Sequence, residues 1–260
     1  MNASIEKNTH SLTRPEIIGY MSVDVSREYH SNLSQLKYLD YVPRGKIHLD
    51  LNHGIEKAVK RTTDDNGEKI TLLLKFLKNN IHYVTQDEIG WRFITYRRTL
   101  ISVMCNAFNN THVKIMASLF NNSIYLCSLE TPTEMHNRLS LNGRFCAWGY
   151  KFEQYLLSDL PGIHQNIEKP VIENEEFSLF YKACLGDHKL LYGAQIDGLL
   201  VTNGTVHPPN TTDFQMNLNY LKQNSYVELK TNRLLENPRQ EHNFKYVLTL
   251  NIISIKIALK

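Results

Sequence analysis

The chain has 260 residues, a formal net charge of +3, 42% hydrophobic and 21% charged residues. That composition excludes a disordered polymer, and the length suffices to bury one sizeable core in one large domain or two small ones. The mild basicity allows a polyanionic partner without demanding one, and no apolar run reaches membrane-spanning length.

The N-terminal "MNASIEKNTHSLTRPEIIGY" has no long apolar segment, so no secretory signal is expected, and residues 1–15 read as a disordered N-terminus. "EIIGYMSVD" (16–24) begins ordered structure. Residues 50–60 and 67–80 have helical spacing, with Ile70, Leu72, Leu73, Leu74, Phe76 and Leu77 clustered around one face. "TTDDNG" (62–67) is a turn-rich loop between them.

From residue 91 the texture changes to strands. "WRFITYRR" (91–98), "VKIMASLF" (113–120), "SIYLCSLE" (123–130), "CAWGYKFEQYLL" (146–157), "FSLFYKACLG" (177–186), "KLLYGAQIDGLLV" (189–201) and "SYVELK" (225–230) are rich in β-branched and aromatic residues. "NN" at 121–122 and "GDH" at 186–188 read as hairpin turns, and 207–211 as a longer loop. The expectation is one α+β domain, helices first and then a mixed, largely antiparallel sheet. Cys105, Cys127, Cys146 and Cys184 show no Cys-x-x-Cys pair, so neither a zinc ribbon nor a thioredoxin-type site is indicated, and reduced thiols are expected.

"YVELKTNR" (226–233) carries the first chemical signal. Along a strand, Val227 and Leu229 face one way and Glu228 and Lys230 the other. "GYKFE" sets Glu153 near the end of another aromatic segment, and "GAQIDG" sets Asp197 one strand before the Glu-x-Lys pair. Hard cations take oxygen ligands, and a few carboxylates leave room for water and a substrate phosphate. A bound dication lowers the pKa of a water, and a nearby lysine can orient that water or stabilise developing charge. Each residue alone has a plainer reading: Glu228 and Lys230 as a surface ion pair, Asp197 as a turn residue before Gly198, Glu153 as a surface acid.

Taken in order, four segments resemble the DXO (decapping and exoribonuclease) family. "TYRRTL" places Arg97 at the family's first-motif arginine, "GYKFE" matches Gly-x-x-x-Glu, "GAQIDG" matches Glu-x-Asp in part, and "VELK" matches Glu-x-Lys. "SVDVSREYH" and "EEFSLFYKACLGDHKLLYGAQIDG" agree as flanking text, and the resemblance runs from about residue 16 to about 245. It implies a nuclease-like core related to the PD-(D/E)xK enzymes. It also implies a Mg²⁺- or Mn²⁺-dependent hydrolase of RNA 5′ ends: pyrophosphate removal from triphosphate ends, release of incomplete or NAD caps, and 5′→3′ exonuclease action. By the same likeness Glu153, Asp197 and Glu228 bind metal with the Leu229 carbonyl, and Lys230 meets the scissile phosphate or its water. Arg97 grips a phosphate, Tyr96 and Arg98 line the substrate pocket, and Arg27 and Ser178 make further substrate contacts. The likeness further implies a nuclear location, with the cytoplasm as a second compartment, and a nuclear 5′→3′ exoribonuclease as partner.

Two departures stand out. Gln195 occupies the place of a family acid; its amide oxygen can coordinate a hard cation but lacks the charge, which leaves a second metal open. After "RQEHNFK" the family continues with a helix, whereas "YVLTLNIISIKIALK" alternates Ile253, Ile255, Ile257 and Leu259 like a strand. Residues 246–260 are therefore expected to be a divergent apolar tail, and the chain to be a truncated or divergent member exposing core surface. A non-catalytic relative that binds RNA ends or a partner is the alternative.

Overall fold

The computed structural model describes residues 12–40, 48–61, 69–84, 93–106, 113–131, 136, 143–163, 166–202, 207–231, 237–240 and 242. The expectations for the extreme N-terminus, the 62–67 loop and the 246–260 tail lie outside them.

Strand β1 (Glu16–Val23) is buried from Ile18 to Val23, on both faces, because it lies inside a sheet rather than at its margin. It pairs antiparallel with β7 (Glu176–Leu185) on one side and with the short β2 (Tyr29–His30) on the other. β7 turns through Gly186, at φ 56°, into β8 (His188–Gln195). β4 (Phe93–Tyr96) lies parallel to β8 and to β6 (Ser123–Leu129). β5 (Lys114–Phe120) closes the edge, joined to β6 by Asn121 and Asn122 at φ 45° and 58°. Two successive left-handed residues match the twist of a tight hairpin, which asparagine tolerates. The seven strands run β2-β1-β7-β8-β4-β6-β5.

Helix α1 (Thr71–Asn79) seats Phe76 on the sheet, where its ring stacks on Phe180 at 3.6 Å between centroids. The close approach needs Gly19: a Cβ there would sit 2.3 Å from Phe76 Cζ. A short helix α2 (Ile81–Val84) follows. Helix α3 (Arg97–Asn106) leaves β4 without a loop, and helix α4 spans Gly143–Leu156. Helix α5 (Phe214–Lys222) is capped by Asp213, whose Oδ1 accepts from the Met216 amide at 2.7 Å, and stacks Phe214 on Tyr20 at 5.0 Å.

A second sheet has three strands, in the order β10-β9-β3. β9 (Gly198–Leu200) pairs antiparallel with β10 (Ser225–Val227) and parallel with β3 (Tyr38–Leu39). The chain passes from β8 to β9 through Ile196 and Asp197, so the single strand expected over 189–201 is two strands in two sheets. Among the described residues no helix is long and apolar enough to cross a membrane.

The α+β class and the mixed, mostly antiparallel sheet are as expected, but several elements differ. Of residues 146–157, expected as a strand, 146–156 are the C-terminal part of α4; Trp148, Tyr150 and Phe152 mimic a two-residue period, while the face that buries is Ala147 and Lys151, one turn apart. Within the expected 91–98 strand, the described residues form a strand over Phe93–Tyr96 only, and Arg97 and Arg98 are helical. The 225–230 strand ends at Val227, and within 50–60 only Ile55–Lys57 form a single 3₁₀ turn. Helices do not all precede the sheet, since β1 comes first in the chain and lies inside the sheet, between β2 and β7.

Candidate active site

Three junctions meet at one end of the sheet. Arg97 is the first residue of α3, Asp197 sits in the β8–β9 crossover, and Glu228 follows the last residue of β10. Because Gly198 pairs with Val227, the residues just outside that pair, Asp197 and Glu228, are neighbours. The Leu229 amide donates to Asp197 Oδ2 at 2.5 Å, fixing the acid and the segment after β10 together. Arg97 Nη2 donates to Glu228 Oε2 at 3.3 Å and to the Gln195 carbonyl at 3.2 Å. Lys230 Nζ donates to Glu228 Oε1. Glu228 is thus held between two cations, with a side chain only 12% exposed, whereas Lys230 is 55% exposed.

Glu153 enters from α4. Burial, then the charge of Asp197, push its carboxyl up to about 8; Lys230 pulls against them and Glu228 adds a smaller upward push. Asp197 rises to about 6, chiefly through burial and then Glu228, offset by the Leu229 amide, Lys230 and Arg97. The charges of Asp197 and Glu228 reach Glu153, and that of Glu228 reaches Asp197, as expected for acids that share one neighbourhood. Among the described residues no three His, Cys, Asp or Glu side chains are already closed into a metal cage. The donor set nevertheless suits a hard dication: three carboxylates whose charges oppose one another and are relieved by a cation between them.

The other expected site residues divide. Tyr96, half-buried, lies against Gly193, where an added Cβ would stand 3.0 Å from its ring. Arg98 is exposed on α3. Gln195, the exposed last residue of β8, is the cross-strand partner of buried Ser178. Ser178 Oγ donates to Glu176 Oε1 at 3.2 Å, and Arg27 Nη1 donates to Glu176 Oε2 at 3.0 Å and the Asn174 carbonyl at 2.6 Å. Arg27 reaches there from a tight turn at φ 62°, in which Asp24 Oδ1 accepts from the Ser26 and Glu28 amides. Arg27 and Ser178 are therefore brought together through Glu176, beside Gln195. Glu176 and Tyr150 were not singled out from the sequence. Tyr150 is pushed up to about 12 mainly by burial and also by the charges of Glu153, Glu173 and Glu176. No spacing rule flags either, because their partners lie on other elements.

Comparison with known proteins identifies the family and the fold. The family model for "RAI1 like PD-(D/E)XK nuclease" matches residues 13–251. The chain is similar to the decapping and exoribonuclease protein Rai1 of Drosophila melanogaster, 30% identical over 252 residues, covering 93% of this chain and 65% of that protein. The chain thus spans just under two thirds of that relative's length. In fold it resembles Candida albicans Rai1, crystallised with pU5 and Mn²⁺, at a TM-score of 0.74 and 22% identity over 95% of this chain and 66% of that one. It also resembles Scheffersomyces stipitis Rai1 in complex with 3′-NADP⁺ and calcium, at a TM-score of 0.70 and 20% identity, over 98% and 70% of the two chains. With the family model matching nearly its whole length, the chain belongs to the RAI1-like PD-(D/E)XK nuclease family.

Proposed function

We propose that the chain is a divalent-metal-dependent hydrolase of RNA 5′ ends. The observation that carries this reading is the convergence of Glu153, Asp197 and Glu228, the first two raised chiefly by burial and then by the neighbouring carboxylates, with Lys230 and Arg97 beside them. The relatives' ligands support the substrate class: pU5 with Mn²⁺ for the Candida protein, and a dinucleotide, 3′-NADP⁺, with calcium for the Scheffersomyces protein.

In this reading Glu153, Asp197, Glu228 and the Leu229 carbonyl hold Mg²⁺ or Mn²⁺. When bound, the cation supplies an acidified water and neutralises charge on the attacked phosphate. The residues of the chain do the rest. Asp197 is kept in place by the Leu229 amide, and Glu228 by Arg97 and Lys230. Lys230, half-exposed, orients the water or stabilises the charge that develops on phosphate oxygen. The outer edge of Arg97 takes a phosphate oxygen, a role that suits a permanently charged planar donor. Arg27, Ser178 and Tyr96 line the approach to Gln195. Pyrophosphate release, NAD-cap removal and 5′→3′ exonucleolysis are the reactions proposed. A nuclear location and a nuclear exoribonuclease partner follow from the family likeness.

Gln195 favours one second reading, a relative that binds RNA ends without cutting them. The test is turnover of three end-labelled RNAs in Mn²⁺: triphosphate, NAD-capped and monophosphate. Hydrolysis by the wild type that vanishes in Glu228→Gln is the expected result. RNA affinity without turnover would establish the binder instead.

A further inference from the structure

Around Arg97, its own Nη1 and the hydroxyls of Tyr181 and Tyr192 are three polar atoms that the contacts above do not use. Arg97 Nη1 is shut off from solvent and has no hydrogen-bond partner, and the same holds for the hydroxyls of Tyr181 and Tyr192. The two tyrosines are directly paired across β7 and β8, with rings stacked at 5.4 Å between centroids and 18° apart. Tyr192 is also the cross-strand neighbour of Thr95, two residues before Arg97. The Arg97 charge reaches both phenols, opposing the upward push of burial on each. A buried donor and two buried hydroxyls left unmade are costly, and a single water needs two to four such partners.

We infer that Tyr181 and Tyr192 are positioning residues for Arg97, their hydroxyls joined to its inward Nη1 through one buried water. The guanidinium then has two assigned edges. Nη1 is tied inward to the tyrosine pair, while Nη2 bridges Glu228 and the Gln195 carbonyl. What remains for a substrate phosphate is the Nε–H, at an angle set by the strand pair beside it. The effect on phosphate binding rests on the RNA 5′-end reading; the tie between hydroxyls and Arg97 does not.

The test is a double-mutant cycle. Tyr181→Phe with Tyr192→Phe removes only the two oxygens, and is made in the wild-type and Arg97→Met backgrounds. The melting temperature is expected to fall by about 3 °C when Arg97 is present and to stay unchanged when it is not. Equal losses in both backgrounds would overturn the inference, as would a high-resolution crystal structure with no water between the three atoms. A second readout separates the tie from its use. The affinity preference for 5′-phosphate over 5′-hydroxyl RNA, measured in Ca²⁺, is expected to drop about tenfold in the Phe variant. A wild type without that preference, but with a coupled cycle, would refute the RNA reading and uphold the tyrosine tie.

Discussion

Glu153→Gln replaces the most strongly raised acid in the site by a neutral side chain of the same shape, and its consequence for stability can be worked out. The Glu153 carboxyl moves from an ordinary 4.5 to about 8 on folding. The folded chain therefore favours the protonated acid, and stability is lost as pH rises from about 4.5 to about 8, then levels. At roughly 1.4 kcal/mol per pH unit of displacement, the wild-type penalty is about 1 kcal/mol at pH 5, about 3 at pH 7 and about 4 at pH 8. Glutamine removes this dependence. Burying its amide adds an offset that does not change with pH, so the slope is the readout. Thermal melts of metal-free protein at pH 5, 7 and 8 should show the variant gaining on the wild type by about 2 kcal/mol, or about 4 °C, between pH 5 and 7. Adding Mn²⁺ at pH 8 should then stabilise the wild type more than the variant. A stability difference that stays constant from pH 5 to 8 would refute the claim that Glu153 is buried against Asp197 and Glu228.

Mn²⁺ affinity should rise by about tenfold per pH unit between pH 6 and 8, where Glu153 must give up its proton, and flatten above, as titration calorimetry would show. Glu228→Gln weakens the hold on both Arg97 and Lys230 as well as removing a carboxylate, so RNA 5′-end turnover should fall by about 10³-fold in a single-turnover assay. Gln195→Glu restores the charge of the family's third motif and should raise turnover; no increase would contradict the account of that position. Gly19→Ala forces a methyl into Phe76 and should cost about 2–3 kcal/mol in urea unfolding, because the stacked Phe76–Phe180 pair has nowhere to retreat.

Strands with an unbroken apolar or β-branched run were legible in the sequence: β5, β6, β7 and most of β8 fall where alternation and turn residues put them, while for β1 only the start of ordered structure was legible. The Asn121–Asn122 hairpin was legible for a specific reason, the tolerance of asparagine for left-handed backbone. α4 was not. Its inward face is carried by Ala147 and by Lys151, whose ammonium is satisfied by the Ile167 carbonyl at 2.7 Å and Gln154 Oε1 at 2.9 Å. A buried lysine breaks the hydropathy pattern that marks a helix, while the aromatics at alternate positions imitate a strand. α3 was missed because Arg97 begins it directly from β4, with no loop to separate the two.

The site's members could be named from the sequence because the acids and cations occur in short ordered motifs. What the motifs did not reveal was how Glu153 arrives. It comes from a helix, whose four-residue spacing from Gly149 places both on one face, rather than from a strand. Nor could the sequence join Arg27 to Ser178, since their shared partner Glu176 acts through the β1–β7 pairing and a turn 149 residues away from it. The crossover at Ile196–Asp197 is the same kind of feature: a change of sheet, visible only once the strands have been assigned neighbours.

Anomalous diffraction from crystals soaked in Mn²⁺ at pH 8 tests the central claim most directly. One strong peak between the Glu153, Asp197 and Glu228 carboxylates and the Leu229 carbonyl is the expected result, and it should disappear in Glu228→Gln. A folded crystal saturated with Mn²⁺ and showing no peak there would contradict the account.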